Sequence, residues 1–280
     1  MLSNHPDRTI RAKALKVRRA LHRSSLPLLR IETLGGFRVI RSGSPVKEEE
    51  WHGSLTKNML KAIVAQWEDG VRKEVLMESL WPEGQPAKVE KNFKSALHRL
   101  RQILEPDMDP KYGYYYVRLK ENWVSLDQGI CEVDVNKFLA LLKEGEKREA
   151  SQQIEEALFV FQEAIGLYKG DFLPDDVYSE WAGSRREELR RKYLGLLVKT
   201  ARIYEDRGAP RKAISFYEKA IECDPFSEEA HRRLMVLYAA MGKHDKALHL
   251  YKSYQKVLRE GLDAEPDALT KSLHKKIENP

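Results

Sequence analysis

Residues 88–104, KVEKNFKSALHRLRQIL, carry lysine, arginine and histidine at spacings that place them on one side of a helix. With about 100° of rotation per residue, the apolar residues fall together on the other side. That apolar side holds Val89, Phe93, Ala96, Leu97, Leu100, Ile103 and Leu104. Only Glu90 interrupts the basic side. Solvated helix faces usually mix both signs, because oppositely charged i,i+4 pairs support a helix, whereas a face of one sign suits a polyanion.

The distribution of charge along the chain supports the importance of this helix. The net charge is +6, but residues 1–30 alone carry +7, with Asp7 as their single acidic residue. Residues 31–130 contain 15 basic and 15 acidic residues and are neutral overall. The positive charge of this middle region is therefore concentrated on the 88–104 helix, and the overall charge of the chain is not the informative quantity.

The composition limits the class of protein. The 280 residues are 42% hydrophobic and 33% charged, which is typical of a helix-rich globular chain with enough length for two or three domains. No apolar run approaches the roughly 20 residues that span a bilayer, and the N-terminus has no apolar core like that of a signal peptide. These patterns predict a cytoplasmic protein that does not bind a membrane.

The elements around the basic helix follow a recognisable order. Residues 28–51 read as short strands around a Gly35-Gly36 hairpin, and a first helix then runs from Ser54 or Thr56 to Asp69-Gly70. A brief extended piece at Val71 and a second helix ending at Pro82 precede the basic helix. Two strands around a tight turn at residues 120–122 follow it. This order predicts an α+β winged helix over residues 28–127.

The winged-helix fold explains why one side of the third helix is basic. Its third helix buries the apolar side on the first two helices and offers the basic side to the major groove of double-stranded DNA. The hairpin then reaches an adjacent groove or phosphate. The predicted DNA-contacting residues are Lys88, Lys91, Lys94, Ser95, His98 and Arg101 on the third helix, Lys57 at the start of the first helix, and Arg118, Lys120 and Asn122 in the hairpin.

Each of these residues has a plainer alternative. Most contacts in protein–DNA complexes go to phosphate or sugar, so a single cation is more often a positioning contact than a base reader. His98 is equally well explained as a surface histidine, and Lys57 as a solvated lysine. Arg99, on the flank of the helix, is expected to pair with an acidic neighbour instead.

Residues 1–27 form a basic leader that is predicted to be helical. Ile10, Ala14, Val17 and Leu21 recur at helical spacing, with basic residues elsewhere. Three explanations remain open: the leader docks on a neighbouring element, contacts DNA, or links the chain to an upstream domain. Docking or a linker is favoured over DNA contact.

From residue 131 to residue 280 the pattern is helical and repetitive. Tyr204, Gly208, Ala213 and Tyr217 recur 34 residues later as Tyr238, Gly242, Ala247 and Tyr251, the period of a tetratricopeptide repeat. A degenerate repeat precedes them, residues 170–194 form an insert that begins as a loop and becomes a long helix, and a final helix caps the array. The fold class is therefore mainly α: an α+β winged helix followed by an all-α repeat domain. The repeats would provide a groove for a partner protein, a dimer contact, or a site for a small effector.

The motifs of enzymes and cofactor-binding proteins are not found. The eight histidines include no His-Glu-x-x-His, and there is no Gly-x-Ser-x-Gly and no phosphate-binding Gly-x-x-x-x-Gly-Lys-Ser/Thr. Cys131 and Cys223 have no metal-type spacing and are predicted to be free, buried thiols. We therefore expect no catalytic residues, no metal and no cofactor.

Several short motifs, taken in order, resemble one family. They are Leu34-Gly35-Gly36-Phe37, Leu80-Trp81-Pro82, Ala96-Leu97-His98-Arg99-Leu100-Arg101, Tyr168-Lys169-Gly170-Asp171-Phe172-Leu173, Trp181 with Arg185, and Leu234-Met235. Over about residues 30–280 the chain resembles the Streptomyces antibiotic regulatory proteins of the AfsR/DnrI/RedD type. These join an OmpR-like winged helix to a tetratricopeptide-like bacterial transcriptional activator domain. The basic leader is not a standard part of that family.

The resemblance implies a transcriptional activator that binds direct repeats near a promoter and recruits RNA polymerase, with the loop from Trp81 to Ala87 facing the polymerase. Homodimers would form through the repeat domain or on DNA. The alternative is an adaptor in which the repeats carry the function and the winged helix binds protein, as the C-terminal part of a larger signalling regulator. Charge reversal at Lys91, Lys94 and Arg101 separates the two, because only the DNA-binding hypothesis predicts a loss of function.

Overall fold

The computed structural model describes residues 7–66, 70–110 and 112–279. Its elements in chain order are α1 (Arg8–Ser25), β1 (Leu29–Glu32), β2 (Arg38–Arg41), β3 (Ser44–Pro45), a 3₁₀ helix (Glu48–Trp51), α2 (Ser54–Ala65), β4 (Val71–Arg72), α3 (Lys73–Leu80), α4 (Pro86–Leu104), β5 (Val117–Lys120), β6 (Trp123–Leu126), β7 (Cys131–Val133), α5 (Asp134–Ala150), α6 (Ile154–Leu167), α7 (Glu180–Asp206), α8 (Pro210–Cys223), α9 (Glu228–Ala240), α10 (His244–Leu262) and α11 (Ala268–Glu278). The mainly α fold class with a small α+β region near the N-terminus is confirmed.

The residues group into two compact units. The first contains the described residues up to Phe138 together with Lys169–Arg186, and the second contains Leu139–Tyr168 with Glu187–Pro280. None of the described helices combines the length and the apolar character that a transmembrane helix requires.

Two small sheets frame the helices of the first unit. One has the strand order β3-β2-β1-β7, in which β1 pairs antiparallel with β2 and parallel with β7. The other has the order β4-β6-β5 and contains the predicted hairpin. Two details of the sequence interpretation were wrong here. Residues 48–51 form a 3₁₀ helix and not a strand, because the buried Trp51 must turn inward beside α2. The short strand β7 was not predicted.

The winged-helix core explains why α4 is held in place. Phe93 and Leu100 of α4 are completely buried, as are Met59 and Leu60 of α2. Pro86 opens α4 at its first turn, where a missing backbone N–H costs nothing, and the helix ends at Leu104. Each buried apolar side chain of this size contributes roughly 1.5–3 kcal/mol to folding. The apolar side of α4 is therefore fixed in the core.

The segment Lys169–Arg186 belongs to this unit because it binds the first sheet. The N–H of Gly35 donates to the carbonyl of Asp171 at 2.9 Å, and the N–H of Leu173 donates to that of Thr33 at 2.9 Å. Gly35 has φ +88°, and a Cβ there would lie 2.9 Å from the carbonyl carbon of Lys169. Only glycine fits this approach. The motif that contains Gly35 and the motif that contains Asp171, both part of the family resemblance, are thus in contact with each other.

A buried ion pair fastens the same segment. The ammonium of Lys61, on α2, lies 2.6 Å from a carboxylate oxygen of Asp176, and both side chains are largely buried. The guanidinium of Arg186 donates to the carbonyl oxygens of Phe172 and Leu173 at 2.9 and 2.8 Å. These bonds satisfy the backbone of an otherwise irregular loop.

The second unit contains the repeats that the 34-residue period predicted. Ala213, Tyr217 and Ala247 are completely buried, so small residues at the helix crossings let the helices approach closely. Gly208 and Gly242 end the first helix of each pair with φ +66° and +72°. Ile277 of α11 joins a buried cluster with Met235, Ala247 and Tyr251, so the final helix covers the last pair as predicted.

Candidate nucleic-acid interface

The two sides of α4 differ sharply in exposure. All seven residues of its predicted apolar side are buried, none being more than 7% exposed. The residues exposed on the other side are Lys88, Lys91, Lys94, Ser95, His98, Arg99 and Gln102. The predicted division of the helix is therefore confirmed, with one exception at Arg101. The functional role of the exposed residues stays a prediction.

Glu90, the one acidic residue of α4, is neutralised by two lysines. Its carboxylate lies 2.6 Å from the ammonium of Lys73 on α3 and 3.2 Å from that of Lys94. The hydrogen bond from Lys73 is the main reason that the pKa of Glu90 is lowered, and Lys94 adds to it. The group of three therefore has a net charge of +1, and Glu90 does not reverse the sign of the helix face.

Arg101 lies partly inside the unit and braces the hairpin. Its Nε donates to the carbonyl oxygen of Val117, the first residue of β5, at 3.0 Å. Its guanidinium lies over the ring of Tyr114, 5.7 Å from the centroid. Burial lowers the pKa of Arg101, but an arginine remains charged at neutral pH. Arg101 links α4 to the hairpin, a role that helical periodicity alone does not reveal.

The hairpin turn has the predicted position. Glu121 and Asn122 adopt φ +52° and +67°, as the two central residues of a type I′ turn do. The carbonyl oxygen of Asn122 accepts a hydrogen bond from the N–H of Lys73 at 2.8 Å, which ties the turn to the start of α3. Lys120 is 85% exposed in its side chain and lies 3.4 Å from Glu121.

An exposed cation–π pair beside the turn was not predicted from the sequence. The guanidinium of Arg72, on β4, lies 5.4 Å from the ring centroid of Trp123, on β6. Trp123 is 40% exposed, which is high for tryptophan. The alternation of β6, with Val124 completely buried, places Trp123 on the outer face of the hairpin and could have identified it.

Two other predicted cations have intramolecular acidic partners. The ammonium of Lys57 lies 2.7 Å from a carboxylate oxygen of Glu48, and its side chain is only 22% exposed. Arg118 forms an ion pair with Asp127, at the base of the hairpin. These partners reduce the free positive charge at both positions, and a phosphate would have to share or displace them.

Asp127 also holds the leader helix. Arg23 of α1 donates from Nε to a carboxylate oxygen of Asp127 at 2.6 Å. Burial raises the pKa of Asp127, but the bond from Arg23 and the nearby Arg118 lower it more, and the net shift is downward. The ring of His22 stacks on Tyr112 with centroids 4.7 Å apart. Of the explanations for the leader, the docking one agrees with the described residues; residues 1–6 lie outside them.

The repeat unit contains a groove of about 540 Å³ along α7. Two of the cations that line it are paired with acidic residues: the ammonium of Lys199 lies 2.9 Å from Glu149, and Arg202 pairs with Glu229. This groove has mixed charge, unlike the exposed face of α4. Among the described residues no group of three or more histidine, cysteine or acidic side chains is placed to hold a metal ion.

A winged helix with an exposed cationic helix, accompanied by tetratricopeptide-like repeats, defines a class of bacterial regulator. The model of the bacterial transcriptional activator domain matches residues 133–278, just over half of the chain. The chain therefore belongs to the bacterial transcriptional activator domain family, as a transcriptional regulator of the Streptomyces antibiotic regulatory protein type.

Two relatives place this result in context. Regulatory protein AfsR of Streptomyces coelicolor is 24% identical over an alignment of 264 residues, and the alignment covers 85% of this chain and 25% of AfsR. The chain thus spans about a quarter of the length of that relative. The structure of EmbR of Mycobacterium tuberculosis, in complex with a low-affinity phosphopeptide, has a TM-score of 0.72 at 20% identity. It covers 89% of this chain and 65% of EmbR, and it shows that the fold is shared.

Proposed function

We propose that this regulator is a sequence-specific DNA-binding protein of the cytoplasm that activates transcription. The observation that carries the proposal is the exposed side of α4, which presents Lys88, Lys91, Lys94 and His98 while the opposite side is locked in the core. An α-helix fits the major groove of double-stranded DNA, and its cations meet phosphates and base edges there. The DNA-binding domain would be residues 28–127.

The exposed residues take different roles in this proposal. Lys91, Ser95 and His98 lie along the centre of the exposed side and face base edges, where one good contact gives about 1–3 kcal/mol of discrimination. Lys88 and Lys94 neutralise phosphates on either side. Lys120 and Asn122, at the tip of the hairpin, reach the neighbouring backbone. Arg101 holds the hairpin at the correct distance from α4, while Arg118 and Lys57 share their charge between their carboxylates and a phosphate.

Activation would depend on the loop between α3 and α4. Residues 82–85, which lie between the two helices, are exposed, so this loop is accessible while α4 occupies a groove. We propose that it contacts RNA polymerase, and that two copies of the chain bind direct repeats next to the promoter. Residues 131–280 would then bind a partner or effector that regulates activation.

Selection from a library of short random duplexes, using the full chain, tests the DNA-binding proposal. We expect a repeated motif to be enriched and the Lys91→Glu/Lys94→Glu variant to bind it at least about 30-fold more weakly. Lys252→Glu/Lys276→Glu is the matched control, because it reverses two exposed lysines of the second unit. Far-UV circular dichroism verifies that each variant is folded.

Equal and weak binding of wild type and variant to every duplex would contradict the proposal. The adaptor hypothesis predicts that result, since the cationic face would then have no part in function. Substitutions in residues 82–85 test the proposed contact with RNA polymerase separately from DNA binding. They should leave duplex affinity unchanged and reduce transcription from a promoter carrying the selected motif.

A further inference from the structure

The leader helix α1 docks by its polar side. His22 and Arg23 face Tyr112 and Asp127, as described above. The apolar residues predicted from the periodicity lie on the opposite side. Val17 is 58% exposed and Leu21 is 65% exposed. This arrangement is the reverse of an ordinary amphipathic surface helix, which buries its apolar residues and exposes its polar ones.

The exposed stripe has the spacing of a helix–helix seam. Ile10, Ala14, Val17 and Leu21 are separated by four, three and four residues. This is the a/d pattern by which one helix packs along another. Val17 and Leu21 are exposed, and Ile10 and Ala14 are partly exposed. Soluble proteins seldom expose neighbouring apolar side chains on one helix face without a use for them, so the outer side of α1 is suited to receive a second helix.

The charges beside the stripe determine which helix fits. Lys13 and Arg18 flank it on its two sides and are both at least partly exposed. After Asp7 the sequence contains no acidic residue until Glu32. The α1 of a second copy would bring Lys13 of one chain opposite Arg18 of the other, and like charges at these flanking positions oppose pairing. A helix with glutamate or aspartate at its flanking positions would be attracted.

We propose that α1 is a docking helix for an acidic amphipathic helix of a partner protein. The partner helix would lay an apolar stripe along Ile10, Ala14, Val17 and Leu21, with its carboxylates beside Lys13 and Arg18. The bond between Arg23 and Asp127 would hold this docking helix against the winged helix. The proposal is independent of DNA binding, because it uses the side of α1 that faces away from the hairpin.

A labelled synthetic peptide tests the proposal against the full chain by fluorescence anisotropy. The probe has leucine and isoleucine at the a and d positions and glutamate at the flanking e and g positions. We expect saturable binding that Val17→Gln/Leu21→Gln weakens at least about tenfold, because two apolar side chains leave the seam. Leu262→Gln/Leu269→Gln is the control, since those leucines are 57% and 66% exposed outside α1. It should bind as the wild type does.

Two further peptides separate charge from hydrophobicity. A peptide with lysine in place of each glutamate, and one with glutamine at the a and d positions, should both fail to bind. The proposal is overturned if the acidic peptide does not bind, or binds Val17→Gln/Leu21→Gln as tightly as the wild type. It is also overturned if light scattering shows a dimer that this variant dissociates, because the stripe would then serve a second copy of the chain.

Discussion

The helices α1 and α4 are both basic and amphipathic, yet they use their apolar sides in opposite ways. In α4 the apolar side is buried and the lysines are exposed. In α1 Val17 and Leu21 of the apolar stripe are exposed, and His22 and Arg23 make the docking contacts. Periodicity alone describes the two helices in the same terms. The difference arises from their neighbours. The apolar surfaces of α2 and α3 lie against α4, whereas α1 meets a carboxylate and aromatic rings.

The largest expected effect is the difference in stability between truncating an apolar residue of α4 and truncating one of α1. Phe93 of α4 is completely buried, so Phe93→Ala should lower the free energy of unfolding by about 3–5 kcal/mol. Leu21 of α1 is 65% exposed, and Leu21→Ala should change it by less than about 0.5 kcal/mol. Urea denaturation of both variants measures this difference. A large loss for Leu21→Ala would show that the stripe of α1 is covered within the chain itself.

A smaller effect on stability is expected at Asp127, the residue against which α1 docks. Asp127 accepts from two arginines, so Asp127→Asn removes the charge that holds both of them. We expect the docking of α1 to weaken by about 1–3 kcal/mol, seen as faster amide hydrogen exchange along α1 with α4 unchanged. The exposed carboxylate of Asp107 provides the control variant, Asp107→Asn. Equal acceleration in α1 and α4 would contradict a local role for Asp127.

The smallest expected effect is a change in the pH dependence of stability, and it comes from Glu105, the residue after α4. Burial raises the pKa of Glu105, although its Oε1 accepts from the N–H groups of Tyr115 at 2.7 Å and Tyr116 at 2.9 Å. A raised pKa stabilises the folded state below the ordinary value of 4.5, and this contribution is lost as the pH rises through the folded pKa. Glu105→Gln keeps the acceptor and removes the titration. The unfolding free energy of Glu105→Gln, measured by urea denaturation, should therefore fall less between pH 4.5 and 7 than that of the wild type. A steeper fall for the variant would contradict a raised pKa of Glu105.

The features that could be predicted from the sequence are those set by local spacing. The two sides of α4, the turn at Glu121 and Asn122, and the 34-residue repeat all follow from neighbouring residues. The features that were missed are long-range contacts. The strand β7 exists because Cys131 pairs with Leu29, and the bond between Lys61 and Asp176 joins residues 115 positions apart. Spacing within a segment carries no information about such partners.

The same reasoning explains what was missed in the candidate interface. Arg101 was predicted to lie on the exposed side of α4, but it is partly buried, because its bond to Val117 depends on where the hairpin returns. The partners of Lys57 and Arg118, Glu48 and Asp127, are nine residues away in each case, across turns whose geometry the sequence did not define.

The most direct test of the central claim is a salt titration of affinity for the selected duplex with matched variants of the two helices. Lys91→Gln/Lys94→Gln removes two cations from α4, and Lys13→Gln/Lys16→Gln removes two exposed cations from α1. Each lost phosphate contact lowers the slope of log affinity against log salt by about one. The proposed interface predicts a shallower slope for the α4 variant and the wild-type slope for the α1 variant. An unchanged slope for the α4 variant, or an equal loss for the α1 variant, would contradict it.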